Sequence, residues 1–300
     1  ATGILALFTI LVWVRNYEYK DELTFWRKTV IDDPSSPIAH HNLGMVYTSM
    51  GLYPEAEDEF KKSALYAPAY ASRVFKNIRE NLANVYRLQK RFEEALREIN
   101  KNMELGLYDF GTYQSLGVIY LDMKEEAKAL EAWEKGLGLN PKAPGILYNL
   151  GLLYLKKKEL PHAKRYFQEA IQAAPDLYQL YFGLGCVLEE EGHSNDAITA
   201  HEESVRLQSN FVDAHYHLGR LYAKKSAAPQ ALREFEETIR LAPNFAEAHN
   251  DLAVLYASME PPRLELAKTH AQKALALGYE VNKHFLEIIG LGQNHAEKKE

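Results

Sequence analysis

Asn149-Leu150-Gly151-x-x-Tyr154 is one copy of a string that recurs along the chain, and its spacing decides how the protein is built. The other copies are Asn42-Leu43-Gly44-x-x-Tyr47, Asn81-Leu82-Ala83-x-x-Tyr86, Ser115-Leu116-Gly117-x-x-Tyr120, Gly183-Leu184-Gly185-x-x-Leu188, His217-Leu218-Gly219-x-x-Tyr222 and Asp251-Leu252-Ala253-x-x-Tyr256. From Ala83 to Ala253 the small residue returns every 34 positions, while the step from Gly44 to Ala83 is 39, an insertion of five around residues 69–75. Twelve residues after each small residue stands an alanine: Ala56, Ala95, Ala129, Ala163, Ala197 and Ala231, with Ala267 displaced by two beyond Pro261-Pro262. Four residues further comes a bulky or ring side chain, Phe60, Ile99, Trp133, Phe167, His201 and Phe235, and Pro68, Pro141, Pro175 and Pro243 close several units.

This spacing resembles that of the tetratricopeptide repeat, whose units are each a pair of helices. Small residues mark where the two helices approach most closely, larger ones fill the remaining core, and proline cannot continue the second helix. No unit can bury its apolar face alone, so neighbouring units must stack and the ends must be covered. This pattern resembles the tetratricopeptide repeat, W-x2-L-G-x2-Y followed by A-x3-F and P. The resemblance implies an all-α, right-handed superhelical solenoid of about seven helix-turn-helix repeats over residues 37–278. Pro34 stands where a repeat-ending proline would, which puts Trp26 at the bulky position of a solitary half-repeat in 16–36. At the other end Val281–Ile289 carries an amphipathic pattern suited to a capping helix within 279–300, whose last residues form a polar tail.

Composition agrees with a packed soluble-type domain: 300 residues, 47% hydrophobic and 25% charged, which excludes wholesale disorder and collagen. A single cysteine, Cys186, excludes an internal disulfide and a thiolate cluster. The net charge of −6, with basic residues spread out, speaks against a nucleic-acid surface. The sequence has no nucleophile elbow, phosphate loop, dinucleotide glycine motif or HExxH string, so no catalytic residue, cofactor or metal is expected, and the protein reads as a non-enzyme. His40, His215 and His249 share the position where the repeat takes a large ring, so their expected role is packing. The pairs His40-His41 and His215-x-His217 do not face one point on a helix and make no metal site by themselves. Cys186 is expected as a small apolar filler on the concave side.

The chain opens with the uncharged run Ala1–Val14, too short for the roughly 20 residues that span a bilayer. Residues 1–15 are read as the second half of a transmembrane helix, with Trp13 and Tyr17 at an interfacial belt, or else as a hydrophobic cap or residual signal sequence. The apolar run, Arg15-Asn16, Asp21–Trp26 and Asp33-Pro34-x5-His40-x-Asn42-Leu43-Gly44 together resemble the junction in multi-spanning glycosyltransferase-like membrane proteins of the transmembrane O-mannosyltransferase type. That resemblance implies a membrane-anchored chain with an extracytoplasmic repeat domain that recruits an acceptor for a catalytic part outside this sequence.

In the tetratricopeptide family, positions 2, 5, 6, 9, 12 and 13 of each repeat line the concave face. Carried over, they give a polar first part (His41, Asn42, Glu80, Asn81, Asn84, Arg87, Gln114). The middle is apolar (Val118, Leu121, Tyr148, Leu152, Leu155, Phe182, Cys186), and the last part is charged (Glu189, Glu190, Asp213, Tyr216, His217, Arg220, Lys224, Glu247, Asn250, Asp251). Such a surface suits a peptide or protein partner. Asn42, Asn81 and Asn149 resemble the asparagine ladder of O-linked N-acetylglucosamine transferases, whose amides both donate and accept. The ladder is broken by Ser115, Gly183, His217 and Asp251, and solvation or bonding within the stack is the competing role. Absence of Lys and Arg at positions 2 and 5 argues against a chaperone-type carboxylate clamp. The candidate binding residues are therefore Asn42, Asn81, Asn84, Tyr148, Asn149, Leu152, Phe182, Tyr216 and Arg220, with Tyr148 and Phe182 as hydrophobic anchors. Two readings stand side by side, an interaction scaffold and the acceptor-recruiting region of a membrane glycosyltransferase, and self-stacking into a homo-oligomer stays open.

Overall fold

A computed structural model describes residues 22–67 and 72–291, the side chains of 72–75 excepted. The apolar start 1–15, residues 16–21, Pro68, the 69–71 part of the insertion and the polar end 292–300 lie outside the described residues. Within them there is no strand, and no helix is long and apolar enough to cross a membrane.

Sixteen helices follow one another among the described residues. The solitary α1 (Glu22–Asp32) precedes seven pairs, each a helix A and a helix B. The pairs are α2 (Pro37–Ser49) with α3 (Tyr53–Tyr66), α4 (Ser72–Leu88) with α5 (Phe92–Glu104), α6 (Phe110–Asp122) with α7 (Glu126–Leu139), and α8 (Pro144–Lys156) with α9 (Leu160–Ala173). Then come α10 (Tyr178–Glu190) with α11 (Ser194–Leu207), α12 (Val212–Lys224) with α13 (Ala228–Leu241), and α14 (Ala246–Ser258) with α15 (Leu264–Ala276), before the short α16 (Lys283–Ile288). The chain divides into two compact units at Ile146 and Leu147, within α8.

The two flanking helices pack on the repeats beside them. Trp26 and Val30 of α1 pack against the first core, and Leu286 and Ile289 are buried in the last one. The insertion has a simple outcome: α4 is 17 residues long where the other helices A have 13, so much of the extra length becomes an additional turn of helix.

The small residue of helix A owes its size to one contact. A Cβ on Gly44 would lie 2.9 Å from the Phe60 ring, on Gly117 2.2 Å from Trp133, on Gly185 2.5 Å from His201 and on Gly219 2.6 Å from Phe235. The ring of helix B thus lies directly on the bare backbone of helix A in the same repeat, leaving no room for a methyl group. Phe167 serves two repeats: a Cβ on Gly151 would sit 2.9 Å from it and one on Gly183 2.4 Å. Where helix A carries alanine, the partner is smaller. Ala83 meets a repeat with Ile99 at the ring position, and Ala253 one with Ala271, all four fully or almost fully buried. Each glycine–ring pair is therefore one size-matched seam, repeated along the chain.

The turn between helices A and B is equally regular. Gly51, Lys90, Lys124, Lys158, Gly192 and Ser226 all hold a left-handed backbone, φ between 57° and 82°, seven residues after the small residue. The next amide but none closes on the motif's sixth residue: Leu52 N–H donates to Tyr47 O, Arg91 to Tyr86 O, Glu159 to Tyr154 O and His193 to Leu188 O. Lys158, at the end of the Lys156-Lys157-Lys158 run, is thus a turn residue. Only two of these six positions carry glycine, the residue that adopts this conformation without steric cost.

Candidate functional site in the second unit

The large-ring position of helix A does more than pack. His40 and His215 are buried, and each spans two groups. Their Nδ1 atoms lie 2.5 Å and 2.7 Å from Glu59 and Glu234 of helix B, and their Nε2 atoms 3.0 Å from the carbonyls of Pro34 and Ser209. Packing alone, the role expected from sequence, is therefore too little: these rings tie helix A to helix B and to the preceding loop. His249 repeats the arrangement with His270 in place of the glutamate, 2.9 Å away. Burial lowers the His215 pKa, but the bond to Glu234, the Ser209 carbonyl and the carboxylate charge outweigh it and hold it above 6.5. Burial, followed by the His249 charge, holds His270 below 6.5.

The nine candidate binding residues fall into separate groups. In the first unit Asn42 donates to Ile38 O of its own helix at 2.9 Å, Asn81 lies 3.4 Å from His41 Nε2, and exposed Asn84 accepts from Arg87. These amides thus have partners within the stack. In the second unit Tyr148 is half-buried against Phe167, ring centroids 6.0 Å apart, Asn149 is half-buried, and Leu152 is 39% exposed. Phe182 is wedged among Phe211, His217 and His201 at 4.9, 5.2 and 5.3 Å. The Tyr216 hydroxyl donates to Asp251 at 3.0 Å, and exposed Arg220 lies over its ring at 5.8 Å.

Of these nine, Arg220 lines a cavity of about 740 Å³ in the second unit. Its walls come from three successive helices A and their turns: Leu155, Lys156 and Lys158; Cys186, Glu189 and Glu190; His217, Arg220, Leu221 and Lys224, with Ser194 at the start of α11. Most of these positions belong to the concave face assigned from sequence. Four cationic side chains face two carboxylates, and both carboxylates are engaged: Glu190 with Lys158 at 2.6 Å, Glu189 with two histidines.

Those histidines are the feature that the sequence reading missed. Glu189 Oε1 accepts from His201 Nε2 at 2.7 Å and His217 Nδ1 at 2.6 Å. Burial alone would raise the Glu189 pKa, yet the two imidazole bonds pull it down to about 2. Burial keeps His201 below its ordinary value, and burial with the nearby Glu189 and Asp213 pushes the Cys186 thiol up to about 12. A signal was present: His201 occupies a position that is Phe, Trp or Ile in five other repeats, and Glu189 one that is Thr48, Arg87, Leu121, Leu155, Ala223 or Ala257 elsewhere.

Family models described as tetratricopeptide repeat match residues 38–70 and 110–142, 144–177, and 182–244. The chain is a tetratricopeptide-repeat protein. Over 114 residues, 38% of this chain, it is 25% identical to anaphase-promoting complex subunit 6 of Arabidopsis thaliana. Its fold is similar to a chain of the APC/C hetero-tetramer Cut9–Hcn1, with a TM-score of 0.63 at 18% identity over 82% of this chain. It is also similar to Pseudomonas aeruginosa PilF, with a TM-score of 0.65 at 19% identity over 73% of this chain and 98% of that one. YrrB, described as a tetratricopeptide protein with an unusual peptide-binding site, matches with a TM-score of 0.51 at 26% identity over 60% of this chain and 91% of that one. The tetratricopeptide chain spans 21% of the Arabidopsis protein and 48% of the Cut9–Hcn1 chain. The resemblance to membrane glycosyltransferase-like proteins draws no support from these matches, and its apolar part falls outside the described residues. The repeat fold itself is typical of protein–protein interaction.

Proposed function

We propose that this protein is an interaction scaffold whose second unit takes up a peptide segment bearing acidic side chains, in the cavity formed by α8, α10 and α12. The observation that carries this reading is the charge on that cavity: Lys156, Arg220 and Lys224 stand beside a Lys158–Glu190 pair and a Glu189 already occupied by two imidazoles. A carboxylate entering there gains charge-assisted hydrogen bonds that are roughly twice as strong as neutral ones. Leu155 and, one turn earlier on the same helix, the exposed Leu152 offer apolar surface for flanking side chains. The likeness to YrrB, whose description names a peptide-binding site, supports the same use of the fold.

A random peptide library panned on the purified chain tests this. The expected result is enrichment of Asp- and Glu-containing sequences that bind Arg220→Glu/Lys224→Glu at least about 10-fold more weakly, one charge contact of about 1.4 kcal/mol being tenfold. Leu152→Ala, at the exposed leucine one turn before Leu155, should weaken the same peptides further, with helical content retained. Winners that bind the charge-reversed protein equally well would refute the site.

A further inference from the structure

His201 is a polar ring in a seat built for hydrocarbon. It is 0% exposed and lies on Gly185 as Phe235 lies on Gly219, so an imidazole here gives up hydration for what its surroundings return. Nε2 has Glu189; Nδ1 is buried and has no hydrogen-bond partner among the described residues. A buried lone pair left unpaired forfeits its hydration with nothing in return. Beside it, Cys186 Sγ and a nitrogen from each of His201 and His217 all lie within 4.8 Å of one another. The three residues come from three different helices, α10, α11 and α12, which is why no spacing in the sequence announces them.

We propose that Cys186, His201 and His217 bind one divalent cation of the zinc class, with Glu189 holding the two imidazoles in place. The donor set of one sulfur and two imidazole nitrogens suits zinc over magnesium or calcium, which take oxygen ligands. Ligand atoms of a tetrahedral zinc site with this donor set stand roughly 3.3–3.5 Å apart, given Zn–N of about 2.0 Å and Zn–S of about 2.3 Å, so atoms that lie within 4.8 Å of one another here have to draw closer around the ion. Metal-bound histidines ordinarily donate their second ring N–H to a carboxylate, which is what Glu189 receives from both rings. With one N–H of each ring given to Glu189, His201 keeps Nδ1 as the lone pair for the ion. Charge balances as well: the thiolate and the Glu189 carboxylate together offset a dication. Binding converts the Cys186 thiol to thiolate and releases one proton to solvent per ion. Cys186, Glu189 and His217 line the open cavity, which gives the ion its way in. The inference stands without the peptide reading, since it rests on the buried seam and not on the cationic rim.

The test is titration of the purified chain with Co²⁺, a spectroscopic stand-in for zinc, followed by Zn²⁺. The expected result is one Co²⁺ per chain with a thiolate-to-cobalt charge-transfer band, displaced by Zn²⁺, and a rise in Tm with Zn²⁺. Cys186→Ser should lose the band. His201→Phe and His217→Asn install residues that other repeats carry at the same positions, so both should keep the parent's helical content and lose the ion. Glu189→Gln should weaken binding about 10–100-fold, the usual effect of removing an orienting carboxylate, while His215→Leu should bind as the parent does. A parent that gives neither the band nor a Zn²⁺-dependent Tm shift overturns the proposal, as does Co²⁺ binding that survives Cys186→Ser and His201→Phe unchanged.

Discussion

The fifth and sixth repeats place the same seam in different chemical hands. In the sixth, Phe235 covers Gly219 and asks nothing polar of its surroundings, and Ala223 stands one turn beyond the glycine. In the fifth, His201 covers Gly185 in the same manner, and the residue at Ala223's place is Glu189, which bonds both His201 and His217. Trp133 in the third repeat lies between these cases: its one polar atom, Nε1–H, donates to Gln114 O at 3.2 Å. The backbone therefore fixes where a ring must go and how large it may be, while the chemistry of that ring is free to change wherever neighbouring helices supply its partners. A repeat gains a candidate site by altering three or four positions without disturbing the stack.

The strongest way to break the comparison is to fill a seam. Gly117→Leu should destabilise by about 3 kcal/mol or more, because even a Cβ would stand 2.2 Å from Trp133. A urea-unfolding midpoint equal to the parent's would show that the ring does not sit on helix A. Next comes moving the fifth seam's chemistry into the sixth. Phe235→His should cost about 2–3 kcal/mol, since the imidazole would be buried opposite Ala223 with no carboxylate to meet it. Adding Ala223→Glu should recover part of that loss in the same unfolding measurement, and no recovery would mean that the Glu189–His201 geometry does not transfer between repeats.

Proton titration sharpens the contrast between the sixth and seventh repeats. His215 has its pKa held above 6.5, so its bond to Glu234 adds stability that is full below pH 6.5 and lost as pH rises through the shifted value. His270 has its pKa held below 6.5, so its burial beside His249 leaves stability intact above pH 6.5 and erodes it as pH falls. Melting temperatures over about pH 5–9 should show the advantage of the parent over His215→Leu vanishing toward high pH. Over the same range the deficit against His270→Ala should grow toward low pH. Parallel curves would refute both assignments. The smallest effect belongs to the turns: Lys124→Gly should raise stability by about 0.5–1 kcal/mol, because φ of 63° strains a side chain and not glycine. A thermal melt of that variant against Gly192→Ala, expected to move the other way, measures it.

The sequence alone determined the helix pairs, their register and the core. Read as tetratricopeptide repeats, the 34-residue period sets two helices to approach at known points, 16 residues apart in the chain in the first six repeats. Membership of the concave face was legible only as a list of positions: Arg220, Lys224, Leu155, Cys186 and His217 were assigned to it, but their meeting in one cavity depends on how three helices A stack. Of the ladder asparagines Asn42, Asn81 and Asn149, the first two have partners inside the stack. Only the tertiary structure brought Cys186, His201, His217 and Glu189 together. Three helices converge there, so the residues lie 3 to 31 positions apart with no motif linking them. A helical pattern records which side chains point inward, and the identity of what they meet is set by packing between neighbours.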